Sequence, residues 1–180
     1  TAEIPYKLGE ISGDMAAPYA RQIAEGLQRQ NPARYASPDE QSSECLKLSA
    51  QFQAKLAEKG VFVPVIHNSV EGQGDHNYLQ ADNQIIDPSF GQFLPHGLQP
   101  TKENPNPYGP FIGTPADLLN RLKETGAHGE TDPETFMRLQ WGLVRDPDGG
   151  PEAFKRMPTA IESNRDEVIK RPAAEATTPA

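Results

Sequence analysis

Cysteine is almost absent from this 180-residue chain, which contains a single one, Cys45. No intrachain disulfide can form, so any thiol chemistry belongs to that one residue. The chain also lacks the CxxC, HxxxH and HExxH spacings typical of zinc sites, and we expect neither a metal nor another cofactor. The GxSxG pattern of serine hydrolases and the GxxxxGK[ST] pattern of nucleotide-binding loops are missing as well.

Long apolar runs and clusters of basic residues are lacking too. No stretch of about 18 apolar residues occurs, so the sequence predicts no transmembrane helix. The first ten residues have neither the basic nor the apolar part of a secretory signal, and we expect no signal peptide in this chain. The 17 basic residues face 25 acidic ones, giving a formal net charge of −8. This balance argues against binding to nucleic acid or to an anionic membrane.

The length and composition are typical of one domain with long loops. Hydrophobic residues make up 36% of the chain, and 18 prolines and 15 glycines are present. This length is sufficient to bury a single core. We expect one domain over residues 1–171 and a disordered tail over residues 172–180.

Apolar residues three or four apart predict several helices. In the second of them Cys45 shares a face with Leu48, Phe52 and Leu56. Its start is open, because a helix that begins at Pro38 and one that begins near Ser43 would both have good capping residues. Helices are expected over 18–29, from either 38 or about 43 to 59, from 114 onward, and over 132–144.

Strand patterns lie between the second and third helices. The run Val61–Ile66 is predicted to be a strand, and Pro64 places it at an edge or a bulge. The segments 76–80 and 84–87 flank a polar turn and predict a β-hairpin. Residues 95–113 are rich in proline, glycine and asparagine and are expected to form a long loop. The predicted fold class is therefore α+β, with the Cys45 helix packed on a small antiparallel sheet and further helices from the C-terminal third.

The predicted hairpin brings a histidine and an aspartate together. If its turn is Ala81-Asp82, His76 lies directly opposite Asp87, at a distance that allows their side chains to hydrogen-bond. If the turn is Asp82-Asn83, the pairing shifts by two residues and Asp87 is diagonal to His76. A nucleophilic thiol needs a base and a group that orients the base. Cys45, His76 and Asp87 are the candidates for these three roles.

The start of the second helix decides how Cys45 is activated. If the helix begins near Ser43, Cys45 lies in the first turn, where the helix dipole favours a thiolate and its backbone N–H is free to bind an oxyanion. If the helix begins at Pro38, activation depends mainly on His76. Gln41 is a candidate for the second oxyanion donor, and Tyr78 is a candidate for a substrate contact.

Simpler interpretations exist for each residue. A lone cysteine on the apolar side of a helix is commonly a small buried hydrophobe. His67, at the end of the predicted first strand, competes with His76 as a base but has no evident acidic partner. His96 and His128 lie in loops and are expected to be exposed. The joint arrangement of Cys45, His76 and Asp87 favours catalysis over these alternatives.

The segment from Cys45 to Phe93 resembles the core of the transglutaminase-like and papain-like superfamily. The resemblance lies in a cysteine that opens a helix, in Gly60-Val61 before a strand, and in the sequences DHNYL and IIDPSFGQF. It implies that Cys45 is the nucleophile, His76 the base and Asp87 the orienting acid. The small size resembles bacterial toxin or effector members, which implies a protein substrate, secretion or delivery into a target cell, and an immunity or inhibitor protein as a possible partner.

Three functions follow as hypotheses. The first is acyl transfer from a protein glutamine to an amine or to water, as in a transglutaminase or deamidase. The second is a papain-like cysteine protease with the same triad. The third is a non-enzymatic binding module in which Cys45 is structural.

Overall fold

A computed structural model describes residues 13–72 and 74–162. The predicted tail, residues 172–180, lies outside this range, as do both ends of the predicted 1–171 domain. The described part is α+β, with four α-helices, a five-stranded antiparallel sheet and a separate two-stranded sheet. Within the described ranges no helix combines the length and apolar character needed to cross a membrane.

Local capping signals account for the positions of the C-terminal helices. The hydroxyl of Thr114 and the carboxylate of Asp117 form a reciprocal capping box, and the carboxylate of Asp132 caps the next helix. Both helices end at glycines in the left-handed conformation, Gly126 and Gly142. The four helices are α1 (Gly13–Gln30), α2 (Cys45–Glu58), α3 (Pro115–Thr125) and α4 (Pro133–Trp141).

The large sheet places the shortest strands at its edges, in the order β4-β3-β2-β1-β7. Strands β5 and β6 pair with each other in the small sheet. The strands are β1 (Val65–Val70), β2 (Gly74–Ala81), β3 (Gln84–Asp87), β4 (Phe111–Gly113), β5 (Leu143–Arg145), β6 (Phe154–Arg156) and β7 (Ala160–Glu162).

Helices cover both faces of the five-stranded sheet. Leu79 in β2 belongs to a buried cluster with residues of α1 and α2, whereas Tyr78 belongs to a second cluster with residues of α3 and α4. Alternate residues of a strand point to opposite faces, so the two clusters lie on opposite sides of the sheet. His76 therefore shares the α3/α4 side with Tyr78, and Asn77 shares the α1/α2 side with Leu79.

Several element boundaries differ from the predictions. Helix α1 begins at Gly13 rather than at residue 18, so Pro18 lies inside the helix. The strand predicted over Val61–Ile66 begins only at Val65 and continues to Val70, because Pro64 lacks the N–H that a ladder needs. The predicted loop 95–113 ends in strand β4, which completes the sheet edge. The helix predicted over 132–144 stops at Trp141, and the residues after Gly142 form β5.

Gly142 ends α4 for two reasons. Its φ of +67° is in the left-handed region, which disfavours residues with a Cβ atom. A Cβ atom at this position would also lie 2.5 Å from Asn68 Oδ1 and 2.5 Å from the Cβ of Ala160. Glycine is therefore required at this turn, directly beside Trp141.

Candidate active site

Helix α2 begins at Cys45 itself. A separate 3₁₀ turn, Pro38–Glu40, precedes it, and Ser43 has a φ of +65° that breaks helical continuity. Of the two predicted starts, the later one is therefore correct. The N-cap residue Glu44 makes no side-chain capping bond. Cys45 thus occupies the first turn, where backbone N–H groups have no intrahelical acceptor and the helix dipole favours negative charge.

The β2–β3 hairpin adopts the second of the two predicted registers. Leu79 pairs with Ile86 and Ala81 pairs with Gln84, so the turn residues are Asp82 and Asn83. The turn Ala81-Asp82 is wrong, and Asp87 lies diagonal to His76. Asp82, with a φ of +56°, takes up the left-handed conformation that this turn needs.

The diagonal arrangement still joins the two side chains. His76 Nε2 and Asp87 Oδ2 are 2.7 Å apart, and both residues are buried. Trp141 Nε1 donates to the same oxygen at 2.7 Å. The other oxygen, Oδ1, accepts from the backbone N–H of Ser89 at 3.1 Å and from its hydroxyl at 3.2 Å. Both carboxylate oxygens have partners, which fixes the orientation of Asp87 and therefore of the imidazole.

Aromatic side chains enclose the imidazole of His76. Tyr78 stacks on it with ring centroids 6.0 Å apart, while Phe93 and Trp141 contact it edge-on at 5.1 and 5.4 Å. These contacts exclude water from the ring and restrict its rotation. Burial strengthens the electrostatic interaction between the ring and the Asp87 carboxylate.

Two neighbouring residues, His76 and Asn77, act on the thiol of Cys45. The charge and side chain of His76 act on it, as does the backbone of Asn77, and each of them lowers the thiol pKa. The side chain of Asn77 also contributes, with Nδ2 3.4 Å from Sγ. Because Nε2 of His76 is bound to Asp87, Nδ1 is the ring nitrogen left for the thiol. His76 therefore connects the two ends of the site, since it is hydrogen-bonded to Asp87 and also lowers the pKa of the Cys45 thiol.

These contacts shift both pKa values toward an ion pair. Burial raises the pKa of the Cys45 thiol, but the hydrogen bonds and charge of His76 and the hydrogen bonds of Asn77 outweigh it, and the pKa is lowered overall. Burial lowers the pKa of His76, but the charge and hydrogen bond of Asp87, assisted by Cys45, raise it to about 9. A lowered thiol pKa and a raised imidazole pKa favour thiolate and imidazolium together near neutral pH.

The pairing of β2 with β3 ends before the residues that act on the thiol. His76 and Asn77 are consecutive and point to opposite faces of the sheet, yet both lower the thiol pKa. Pairing between β2 and β3 extends only from Leu79 to Ala81. Asp87 pairs instead with Phe111 of β4. The edge of β2 at His76 and Asn77 therefore has no paired strand on the side of β3.

Gln41 and Tyr78 have other partners than the ones expected. The side-chain nitrogen of Gln41 donates to the carbonyls of Tyr108 at 2.7 Å and Arg34 at 3.3 Å, so both of its hydrogens are engaged. The hydroxyl of Tyr78 donates to the carbonyl of Trp141 at 2.6 Å. This geometry does not support Gln41 as an oxyanion donor or Tyr78 as a substrate contact; both hold the framework around the site.

The other histidines lie apart from the thiol contacts. His67 is 3.7 Å from Asp75, at a distance too long for a hydrogen bond. His96 is exposed and pairs with Asp39 at 3.1 Å. His128, which was expected to be exposed, is half-buried and hydrogen-bonds through Nδ1 to the carbonyl of Thr131. Over residues 13–72 and 74–162, no group of three or more histidine, cysteine or acidic side chains is arranged to hold a metal.

The sequence interpretation missed three residues of the site. It assigned no role in the site to Trp141, Ser89 or Asn77. A serine two residues after an aspartate is a common partner for its carboxylate, so Ser89 carried a usable local signal. Trp141 is 54 residues from Asp87 in sequence, and no local pattern indicates their contact. Comparison of the chain with protein-family models, with curated proteins and with solved structures finds no match.

Proposed function

We propose that this protein is a cysteine-dependent acyl-transfer enzyme with Cys45 as nucleophile, His76 as general base and acid, and Asp87 as the residue that orients His76. The observation that carries the proposal is the buried hydrogen bond of 2.7 Å between His76 and Asp87, next to a first-turn thiol whose pKa His76 lowers. Burying two ionisable groups is costly unless they are paired, and such pairs with shifted pKa values concentrate at functional sites. A structural cysteine needs no such partners.

The geometry supports a two-step reaction on an amide. The thiolate attacks the carbonyl carbon, the S–C bond forms, and the carbonyl π electrons move to oxygen. When the tetrahedral intermediate collapses, the C–N bond breaks and the imidazolium of His76 gives its proton to the departing nitrogen. Water or an amine then attacks the thioester, His76 takes a proton from it, and the thiolate leaves.

We further propose a protein glutamine as the acyl donor, with a transglutaminase or deamidase outcome. The order of cysteine, histidine and aspartate, on a helix start and two adjacent strands, supports a papain-like or transglutaminase-like core. In this proposal the protein is a bacterial toxin or effector that is secreted or delivered into a target cell and is controlled by an immunity or inhibitor protein. A papain-like peptidase is the second candidate, because it forms the same thioester.

The reaction type is tested by intact-mass analysis of glutamine-containing proteins incubated with this protein and a small primary amine. We expect either the mass change of amide-to-acid conversion or the added mass of the amine. Backbone fragments would instead assign the peptidase. Cys45→Ala is the control and should produce none of these species. A broad substrate panel with no acylation product and no fragments would contradict the proposal.

The coupled pair predicts the pH dependence of Cys45 alkylation by iodoacetamide. Because the thiol pKa is lowered, we expect the rate to rise through an inflection below the ordinary cysteine value of about 8.5. A second inflection is expected near pH 9, where His76 loses its proton and the thiolate loses its cationic partner. Because the chain contains a single thiol, the alkylation rate reports on Cys45 alone. A single inflection at the ordinary value would argue for a structural cysteine.

A further inference from the structure

Asn77 contacts the sulfur of Cys45 with its side-chain amide. Its side-chain nitrogen donates to Cys45 Sγ at 3.4 Å, and its backbone also lowers the thiol pKa. Strand β3 does not pair with β2 at this position. The residue is 8% exposed and its carbonyl accepts a hydrogen bond from Ser49 of α2. Asn77 is thus a donor held in place against the helix that carries the nucleophile.

Acyl transfer moves the negative charge away from sulfur. In the tetrahedral intermediate the charge resides on an oxygen that is two bonds from Sγ. An N–H group that contacts the thiolate is therefore close to the place where the oxyanion forms. Efficient oxyanion sites place donors about 2.7–3.1 Å from that oxygen, and two donors are usual.

Of the two donors that an oxyanion site usually has, one is available from the backbone of α2 and the second must come from a side chain near the thiol. The backbone N–H of Cys45 is in the first turn of α2, where no intrahelical acceptor is available. Gln41 cannot be the second donor, because its amide hydrogens bind the carbonyls of Tyr108 and Arg34. Gly91 packs against the same amide, and a Cβ atom there would lie 2.6 Å from Gln41 Nε2. The side-chain amide of Gln41 is therefore held in this position by its neighbours.

We propose that the side-chain N–H of Asn77 stabilises the oxyanion of the tetrahedral intermediate on Cys45, together with the backbone N–H of Cys45. This inference rests on the proposed acyl-transfer function and assigns to it a catalytic residue. In the resting enzyme the Asn77 amide donates a hydrogen bond to the thiolate. During attack the negative charge moves from sulfur to oxygen, and the amide donates to that oxygen instead. The second oxyanion donor is then Asn77, which follows His76 in the chain, and not Gln41, which precedes Cys45.

Two reagents that react with the same thiol separate the two roles of Asn77. Iodoacetamide alkylates the thiolate by displacement at a saturated carbon, so no oxyanion forms. p-Nitrophenyl acetate acylates it through a tetrahedral oxyanion and releases p-nitrophenolate as a measurable burst. Each rate is measured from its pH-independent plateau, so that a change in thiol pKa does not enter the comparison.

For Asn77→Leu, which keeps the approximate size of the side chain but removes the donor, we expect the acylation plateau to fall by about 10²–10³-fold. The alkylation plateau should change by only a few fold. Asn77→Ala should show the same selective loss, and a cooperative thermal transition shows whether each variant is folded. Asn120→Ala is the matched control, because Asn120 is exposed on α3; it should leave both rates unchanged.

Two results would overturn the inference. Equal losses with both reagents, or no loss with either, would restrict Asn77 to holding the thiolate or packing the helix. These results leave the proposed function intact if the unaltered protein is acylated much faster than a simple thiol of the same pKa. If the unaltered protein shows no such acceleration, the acyl-transfer function itself fails, and the inference fails with it.

Discussion

Replacing His76 with alanine is expected to slow acylation of Cys45 by p-nitrophenyl acetate by about 10³-fold at neutral pH. The imidazole is the main group that opposes the effect of burial on the thiol pKa, through its charge and its hydrogen bond. Without it, burial dominates and the thiol stays protonated near neutral pH. The burst of p-nitrophenolate measures the rate, and alkylation against pH measures the accompanying rise in thiol pKa.

Two other histidines serve as controls for this experiment. His67→Ala tests the competing base, which lies near Asp75 rather than in the buried network. His96→Ala removes an exposed imidazole that also pairs with an aspartate. Both variants should keep the acylation rate of the unaltered protein. A slow His67→Ala variant beside a fast His76→Ala variant would assign the base to His67 and refute the proposed triad.

Replacing Asp87 with alanine is expected to lower the free energy of unfolding by roughly 3–5 kcal/mol. The carboxylate accepts hydrogen bonds from His76, Trp141 and Ser89, and all of these residues are buried. Removing it leaves a buried imidazole and at least two buried N–H groups without an acceptor. Denaturant unfolding measures the loss, and acylation should also be slow because the imidazole is no longer oriented.

The loss of stability in Asp87→Ala is expected to depend on pH. The pKa of His76 in the folded protein is about 9, above its ordinary value. The stability that the charged imidazole gains from Asp87 is therefore fully present below the unfolded-state pKa and is lost as pH rises through about 9. The difference in unfolding free energy between the unaltered protein and Asp87→Ala should narrow above that pH.

Asp87→Asn is a milder test of the same network. An amide has one acceptor oxygen and one NH₂ group, so it cannot accept from both Ser89 and the pair His76 and Trp141. We expect an intermediate loss of stability and slow acylation. Asp39→Asn is the matched control, since it alters an exposed aspartate that also binds a histidine. Unfolding free energies of Asp87→Ala within about 1 kcal/mol of the unaltered protein would contradict this account.

Much of the local structure was predictable because its signals are local. The apolar spacing in α2, the capping box at Thr114 and the glycine after α3 each act within one or two helical turns. The hairpin was predictable from the polar residues between two β-prone segments. Its register was not, because Ala81-Asp82 and Asp82-Asn83 are both acceptable turns. The two registers differ by two residues and leave every side chain on the same face of the sheet, so the hydrophobic pattern does not distinguish them.

By itself, the sequence determined the candidates of the site. It supplied one thiol near a helix start, a histidine and an aspartate on successive strands, and no competing metal or nucleotide pattern. Only the tertiary structure decided how they meet. Helix α2 places the thiol beside Asn77, α4 brings Trp141 to Asp87, and Gln41 binds the carbonyl of Tyr108. These contacts depend on how helices pack on the two faces of a sheet, and that packing is settled by the whole core rather than by any short segment.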